Sequence, residues 1–539
     1  METKRSKSVF SRLVALCLAF VFVFSMSMTA LAADVPLSPD AKQSVTVGGL
    51  EPGVQVYLYR IVKVNIQDEQ PASPVYLWED GVKGWVTRQY SDYIGTDGEV
   101  TQEFQELNES ASTAFWQTLA AAVKSGDPDL PAAYEEITGA GENSVTFSEV
   151  IPGEYIAIAK NTTGVKVYRP TTVSVLPSYD EKTDRWYLKD VTAPTMKSTE
   201  PSVTKTVDEK SVGAGDTVTY TITALIPEYP ANAAHHEVIV ADALETSKLA
   251  FNNDIVVKDQ SGVPANITED YTVEQNASID GKQYTLAVTF TDDYIAAHAG
   301  QNVTVTYTAE VTREAVQVND NTAVLIYNND PYADAHQTKD STVSVYSYGI
   351  TFNKVNESDK ALTDVQFELY KANAAHDGVD GNALKFTYEN GAYKYDPKAG
   401  TGTTSTLDVD DSTGQIKISA LDTGYYMLKE TKASDSGQYV VPRSMILIFL
   451  SDDPADGTLD NTSDASISGN ENVISIVGNQ AAIKDNTLSF TVKNTPLDDS
   501  GLTLPVTGGM GTMIFTIAGI LLMAGAVTMI VVIFRKKKA

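Results

Sequence analysis

Two kinds of reactive group stand out along this 539-residue chain. The first is a peptide bond. Leu504-Pro505-Val506-Thr507-Gly508 precedes an apolar run from Met510 to Phe534, which ends in Arg535-Lys536-Lys537-Lys538. At roughly 1.5 Å per residue against a hydrocarbon core of about 30 Å, the run is long enough to cross a bilayer as a helix. The basic tail marks its end as cytoplasmic. The pentapeptide therefore sits just outside the membrane, where an extracellular enzyme could cut it. The second kind is an amine. Val203-Thr204-Lys205-Thr206-Val207 and Ile350-Thr351-Phe352-Asn353-Lys354-Val355 each set one lysine in an apolar, strand-like context. Lysine is rarely fully buried unless paired, so each is either a solvated edge residue or an amine held against a partner.

The elements that must hold these groups read mainly as β-structure. Alternating β-branched and aromatic runs recur at Val45-Thr46-Val47, Val54 to Leu58, Thr217 to Ile222, Tyr284 to Phe290, Val303 to Tyr307, Met445 to Phe449 and Leu488 to Val492. Clusters of Gly, Asp, Asn and Pro separate them, as expected of β-sandwiches. Gln102 to Val123 breaks the pattern. Its Phe104, Leu107, Phe115, Leu119 and Val123 predict helical structure, with Asn108 or Ser110 as a cap. Pro194 and Pro201 interrupt any regular element near residue 197, and a second change of strand set falls at Ser347 to Gly349. The expected organisation is three tandem immunoglobulin-like sandwiches, 33–196 with some helix, 197–347 and 348–496. Residues 497–539 then supply a linker, the pentapeptide, the membrane-spanning helix and the basic tail.

The other terminus is a secretory signal peptide, 1–32. Lys4, Arg5, Lys7 and Arg12 precede the apolar Leu13 to Phe24, and Ala30-Leu31-Ala32 offers a cleavage site. Cys17, the only cysteine, lies within it, so the mature segment Ala33 to Thr507 has no thiol or disulfide chemistry. Removing the signal's four basic and one acidic residues and the tail's four basic ones from 40 and 70 leaves 32 basic and 69 acidic, a net charge of about −37. That balance argues against nucleic-acid binding and for a soluble, self-repelling surface.

The arrangement of pentapeptide, span and basic stop resembles the cell-wall sorting signal of Gram-positive surface proteins, of the Leu-Pro-x-Thr-Gly type. Gly424-Tyr425-Tyr426-Met427-Leu428-Lys429-Glu430-Thr431 and Phe490-Thr491-Val492-Lys493-Asn494-Thr495-Pro496 resemble the glutamate-bearing and final strands of collagen-adhesin B-type domains. In that family an opening-strand lysine and a closing-strand asparagine form an isopeptide bond, catalysed by a buried glutamate. The resemblance implies those roles for Lys354, Asn494 and Glu430. Ser202 to Val207, Gly215-Asp216-Thr217-Val218-Thr219-Tyr220 and Asn321-Thr322-Ala323-Val324 resemble the middle, isopeptide-forming domain of fimbrial shaft proteins. This implies a linked pair Lys205 and Asn321, with Asp242 as the acid and Glu237 or Glu310 as alternatives. Burial would leave the lysine a neutral amine and keep the carboxyl protonated, the forms such chemistry requires.

Taken whole, the mature chain resembles the backbone subunit of a sortase-assembled pilus, a structural protein whose only catalysis is single-turnover and on itself. The resemblance implies a cell-wall-anchored extracellular pilus made from a membrane-bound precursor. Its expected partners are a class C-type pilus sortase, a housekeeping sortase, neighbouring copies of the chain, peptidoglycan, and tip and base pilins. A sortase cysteine would attack the Thr507–Gly508 bond, and a lysine of the next subunit would resolve the acyl-enzyme. The family's Tyr-Pro-Lys-Asn core is absent from Trp186-Tyr187-Leu188-Lys189-Asp190-Val191-Thr192-Ala193-Pro194-Thr195-Met196-Lys197, so Lys197 is the candidate nucleophile and Lys189 the alternative. A monomeric wall-anchored adhesin is the competing reading. No metal or other cofactor is expected: His235-His236 lie adjacent on a strand and point to opposite faces, and Asp408 to Gly414 lacks the position-six glycine and late glutamate of a calcium loop.

Overall fold

A computed structural model of the chain describes residues 35–494, except 131, 139–142, 162, 399, 436–438, 453–457, 460–463, 470–473 and 476–481. The expected signal peptide, the pentapeptide and the apolar run lie outside the described residues. Among those described, no helix is long and apolar enough to cross a membrane.

The chain is mainly β, and its apolar side chains gather into three successive large cores. In the first, Gln70–Trp78, Gln55–Gln67, Gly153–Lys160 and Thr171–Val175 form an antiparallel sheet in that order. Helices cover one face of it. The helix expected over 102–123 divides into Gln102–Gln105 and Glu109–Ser125, because Asn108 turns the chain and caps the second piece by accepting from the Ala111 amide at 2.9 Å. Phe104 and Phe115 pack against Trp78 with ring centroids 4.9 and 5.8 Å away. A further helix, Asp80–Gln89, buries Val82, Trp85 and Val86. Its two glycines and its charges hide that stripe from a reading based on apolar periodicity.

The middle core lies between two sheets. One runs Val203–Val207, Thr217–Leu225, Asn302–Val311 and Leu249–Phe251; the other Tyr271–Ile279, Lys282–Phe290, Val238–Leu244, Val318–Asn328 and His336–Tyr346. Strict alternation along Thr217–Leu225 and Asn302–Val311 turns Tyr220, Ile222, Val305 and Tyr307 inward. Lys205 pairs with Ile222, which pairs with Val305, so the lysine belongs to the inward row. In the last unit the opening strand Tyr348–Asn356 lies between Gln415–Leu421 and the final strand Thr487–Asn494, with which it runs parallel. A second sheet, centred on Gln366–Ala372, Gly424–Lys432 and Ile446–Leu450, closes over them.

Specific contacts join the units. Tyr332 of the middle unit packs against the first core, the Tyr327 hydroxyl donates to the Val165 carbonyl at 2.7 Å, and Asn329 Nδ2 donates to that of Gly164 at 2.7 Å. At the second junction the Ala214 amide donates to Ala420, while Arg313 pairs with Asp396 at 2.9 Å.

Candidate functional site

Lys354 follows Ile350 and Phe352 along the inward face of the opening strand and is fully buried. The parallel register sets it opposite Val492, one inward step from Asn494 on the neighbouring strand. Lys354 Nζ donates to Asn494 Oδ1 and lies 3.1 Å from Glu430 Oε2, while Asn494 Nδ2 donates to Glu430 Oε1 at 2.7 Å. Glu430 arrives from the facing sheet, where it pairs with Phe367. One carboxyl thus spans both nitrogens of the lysine–asparagine pair. Burial pushes the Lys354 amine down to about 8 and the Glu430 carboxyl above its ordinary value, and their mutual attraction offsets only part of this. The arrangement suits transfer of the asparagine acyl group to the amine, with a proton passed to departing ammonia.

The middle cluster is built differently. Lys205 comes from one sheet, Asp242 and Asn321 from adjacent strands of the other, and all three are buried. Asp242 pairs with Ala323 and Asn321 with Leu244, so the two side chains occupy neighbouring positions on one inward face. Lys205 Nζ donates to Asp242 Oδ2 and, at 2.9 Å, to the Tyr307 hydroxyl oxygen. Asn321 Nδ2 donates to the same oxygen at 2.8 Å. Burial lowers Lys205 to about 8 and raises Asp242 to about 6. Tyr307 carries no sequence signal of its own, since an aromatic at an inward position of an alternating strand reads simply as core. The alternative acids are engaged elsewhere: Glu237 lies 2.8 Å from His336 Nε2, and Glu310 lies 2.6 Å from Lys398 Nζ.

Lys189 and Lys197 are both exposed and belong to neither cluster. Lys197 follows Met196, whose side chain is buried in the first core. Its segment is pinned where the Gly48 amide donates to Pro194 and the Met196 amide donates back to Gly48. Gly49 permits that approach: its φ is +80°, and a Cβ there would stand 2.7 Å from Thr195 Cγ2. Lys189 follows the Arg185–Leu188 strand. His236 pairs with Asp292 at 3.1 Å, and the Asp410 carboxylate is filled by the amides and hydroxyls of Ser412 and Thr413, which hold it down to about 2. Among the described residues no group of three or more His, Cys, Asp or Glu is placed to hold a metal.

Known family models match the middle, last and anchor segments. Residues 194–339 match the cell surface antigen I/II C2 terminal domain, 348–462 the prealbumin-like fold domain, and 500–539 the LPXTG cell wall anchor motif. The chain is 25% identical to the trypsin-resistant surface T6 protein of Streptococcus pyogenes serotype M6, over 96% of this chain and 99% of that one. It is 27% identical to fimbrial subunit type 1 of Actinomyces viscosus, over 76% and 79% respectively. Its fold is similar to the solved structure of the T6 backbone pilin of S. pyogenes serotype M6, with a TM-score of 0.54 and 17% identity over 86% of this chain and all of that one. With an LPXTG cell wall anchor motif at its C-terminus and a prealbumin-like fold domain before it, the chain is similar in sequence, over nearly its whole length, to the T6 surface protein and in fold to the T6 backbone pilin.

Proposed function

We propose that the chain is a pilus shaft subunit in which two self-made isopeptide bonds, Lys205 to Asn321 and Lys354 to Asn494, lock the units 197–347 and 348–496. Asp242 and Glu430 act as the acids. The observation that carries this reading is the Glu430 carboxyl lying within reach of both Lys354 Nζ and Asn494 Nδ2 in a buried site. Each amine attacks the asparagine Cγ, the Cγ–Nδ2 bond breaks, and ammonia departs with a proton that began on the amine. The chain catalyses nothing else and is otherwise a substrate. A class C-type pilus sortase would cleave after Thr507 and pass the acyl group to Lys197 of the next copy, and a housekeeping sortase would join the finished polymer to peptidoglycan.

Intact mass and peptide mapping of the segment Ala33 to Thr507 test the internal bonds. A deficit of two ammonias, with linked peptides joining each pair, is expected; the unmodified mass would return the chain to a wall-anchored adhesin. Co-expression with the pilus sortase tests the junction. Lys197→Ala should abolish the polymer ladder while Lys189→Ala leaves it intact, and the reverse result would move the nucleophile to Lys189.

A further inference from the structure

The two clusters differ in how the carboxyl reaches the leaving nitrogen. Glu430 does so directly, accepting from Asn494 Nδ2 at 2.7 Å while its other oxygen lies 3.1 Å from Lys354 Nζ. Asp242 is one methylene shorter. Its Oδ2 meets Lys205 Nζ, but its buried Oδ1 makes no hydrogen bond among the described residues, and neither does Asn321 Oδ1. The gap between acid and amide is filled by Tyr307, whose oxygen receives Lys205 Nζ at 2.9 Å and Asn321 Nδ2 at 2.8 Å. Tyr307 is itself fully buried, tilted against Tyr220 and edge-on to Phe251, so its hydroxyl is fixed in place. In the last unit the ring near the lysine is Phe367, 5.9 Å from Nζ, which has no hydroxyl to offer.

We propose that Tyr307 is a catalytic residue of the middle unit, relaying a proton from the attacking amine to the departing nitrogen. This deepens the isopeptide reading and rests on it. As Lys205 Nζ bonds to Asn321 Cγ, one Nζ proton passes to the tyrosine oxygen and the phenolic proton passes to Nδ2. The Cγ–Nδ2 bond then breaks and ammonia leaves, with tyrosine restored to its starting form. Asp242 steadies the amine and balances charge on Nζ during attack. One glutamate in the last unit therefore corresponds to an aspartate–tyrosine pair in the middle one.

The test follows linkage in freshly folded mature chain by intact mass and peptide mapping, with the Lys354–Asn494 bond of the same molecule as an internal control. Tyr307→Phe should slow formation of the Lys205–Asn321 bond at least 100-fold, within the range of general acid–base catalysis, while the control bond forms normally. Linkage at the wild-type rate would overturn the proposal. A second variant separates proton relay from packing: adding Asp242→Glu to Tyr307→Phe supplies a carboxyl with the reach of Glu430 and should restore the bond. If linkage stays slow in this double variant, Tyr307 serves packing alone and the proposal fails. A wild-type chain lacking the Lys205–Asn321 bond would overturn the underlying isopeptide reading as well, which distinguishes that failure from a failure of the tyrosine's role.

Discussion

A lysine amine and an asparagine amide do not react in water, because the amine is protonated and the amide is a poor electrophile. Burial changes the first condition, and a nearby carboxyl changes the second. Lys354 and Lys205 are both lowered to about 8 by desolvation, so the neutral amine is within thermal reach at neutral pH. Glu430→Gln keeps the shape of the site but removes the acid. The variant should retain the mass of one ammonia, and its last unit should lose about 5 kcal/mol of stability, the loop-entropy value for closing a loop of this length. Urea titration of variant and wild type measures the difference; equal midpoints would mean that no bond forms in either. A third buried carboxyl has no lysine. Glu154 in the first core is 2% exposed and bonds only Ser174 among the described residues, and desolvation raises it from 4.5 to about 8. The folded unit keeps this proton while the unfolded chain loses it above about pH 4.5, so the unfolded state gains as pH rises. Stability should fall from about pH 5 to 8 and level off beyond. Glu154→Gln should flatten that slope in calorimetric scans, and an unchanged slope would assign the titration to another group. The clusters were legible only in part. Lys354, Glu430 and Asn494 sit in sequence motifs, whereas Tyr307 becomes visible only when two strands far apart in sequence set its hydroxyl between Lys205 and Asn321.

Elements explain why these side chains meet. Alternation along a strand decides that Ile350, Phe352 and Lys354 share one face, and that is readable from sequence. The parallel pairing of opening and final strands is not, because the partners are separated by more than a hundred residues of intervening strand. The helical region shows the same division. Asn108 was identifiable as a cap, but Asp80–Gln89 forms because Val82, Trp85 and Val86 find the aromatic cluster around Phe115, which is a tertiary event. At the junction of the middle and last units, Gly215 adopts φ +93° against Pro397, and beside it the Ala214 amide donates to Ala420. A side chain there meets both left-handed strain and the proline ring. Gly215→Ala should destabilise the chain by about 1–3 kcal/mol and increase hydrogen exchange at Ala214. Unchanged exchange would mean that the contact is dispensable to the junction.

At the scale of the molecule, covalent force would follow the bonds and bypass most of the folded sheets. If the next subunit is joined at Lys197 and the chain leaves through Thr507, tension enters just before Lys205. It crosses to Asn321, runs through the strands of 321–354 to Lys354 and crosses again to Asn494. The residues between Lys205 and Asn321 and between Lys354 and Asn494 then lie outside the stretched path, as does the first unit, which precedes the point of attachment. Pulling the mature chain between Lys197 and its C-terminus should therefore release neither of these two linked segments. In Asp242→Asn the middle unit should open and release roughly 400 Å, the contour of the residues between Lys205 and Asn321. Release of that length from the wild type would mean the bond is absent. The sequence by itself determined the sorting pentapeptide, the absence of any cysteine after Cys17 and the mainly β character of the chain, because each is written in local composition or period. Only the tertiary structure decided which acid meets which lysine, that the Tyr307 hydroxyl stands between Lys205 and Asn321 where Glu430 reaches both its partners directly, and how Pro194 to Met196 is pinned beside Lys197. Those outcomes depend on side-chain reach across sheets and junctions, and reach is fixed by packing between residues that the sequence keeps far apart.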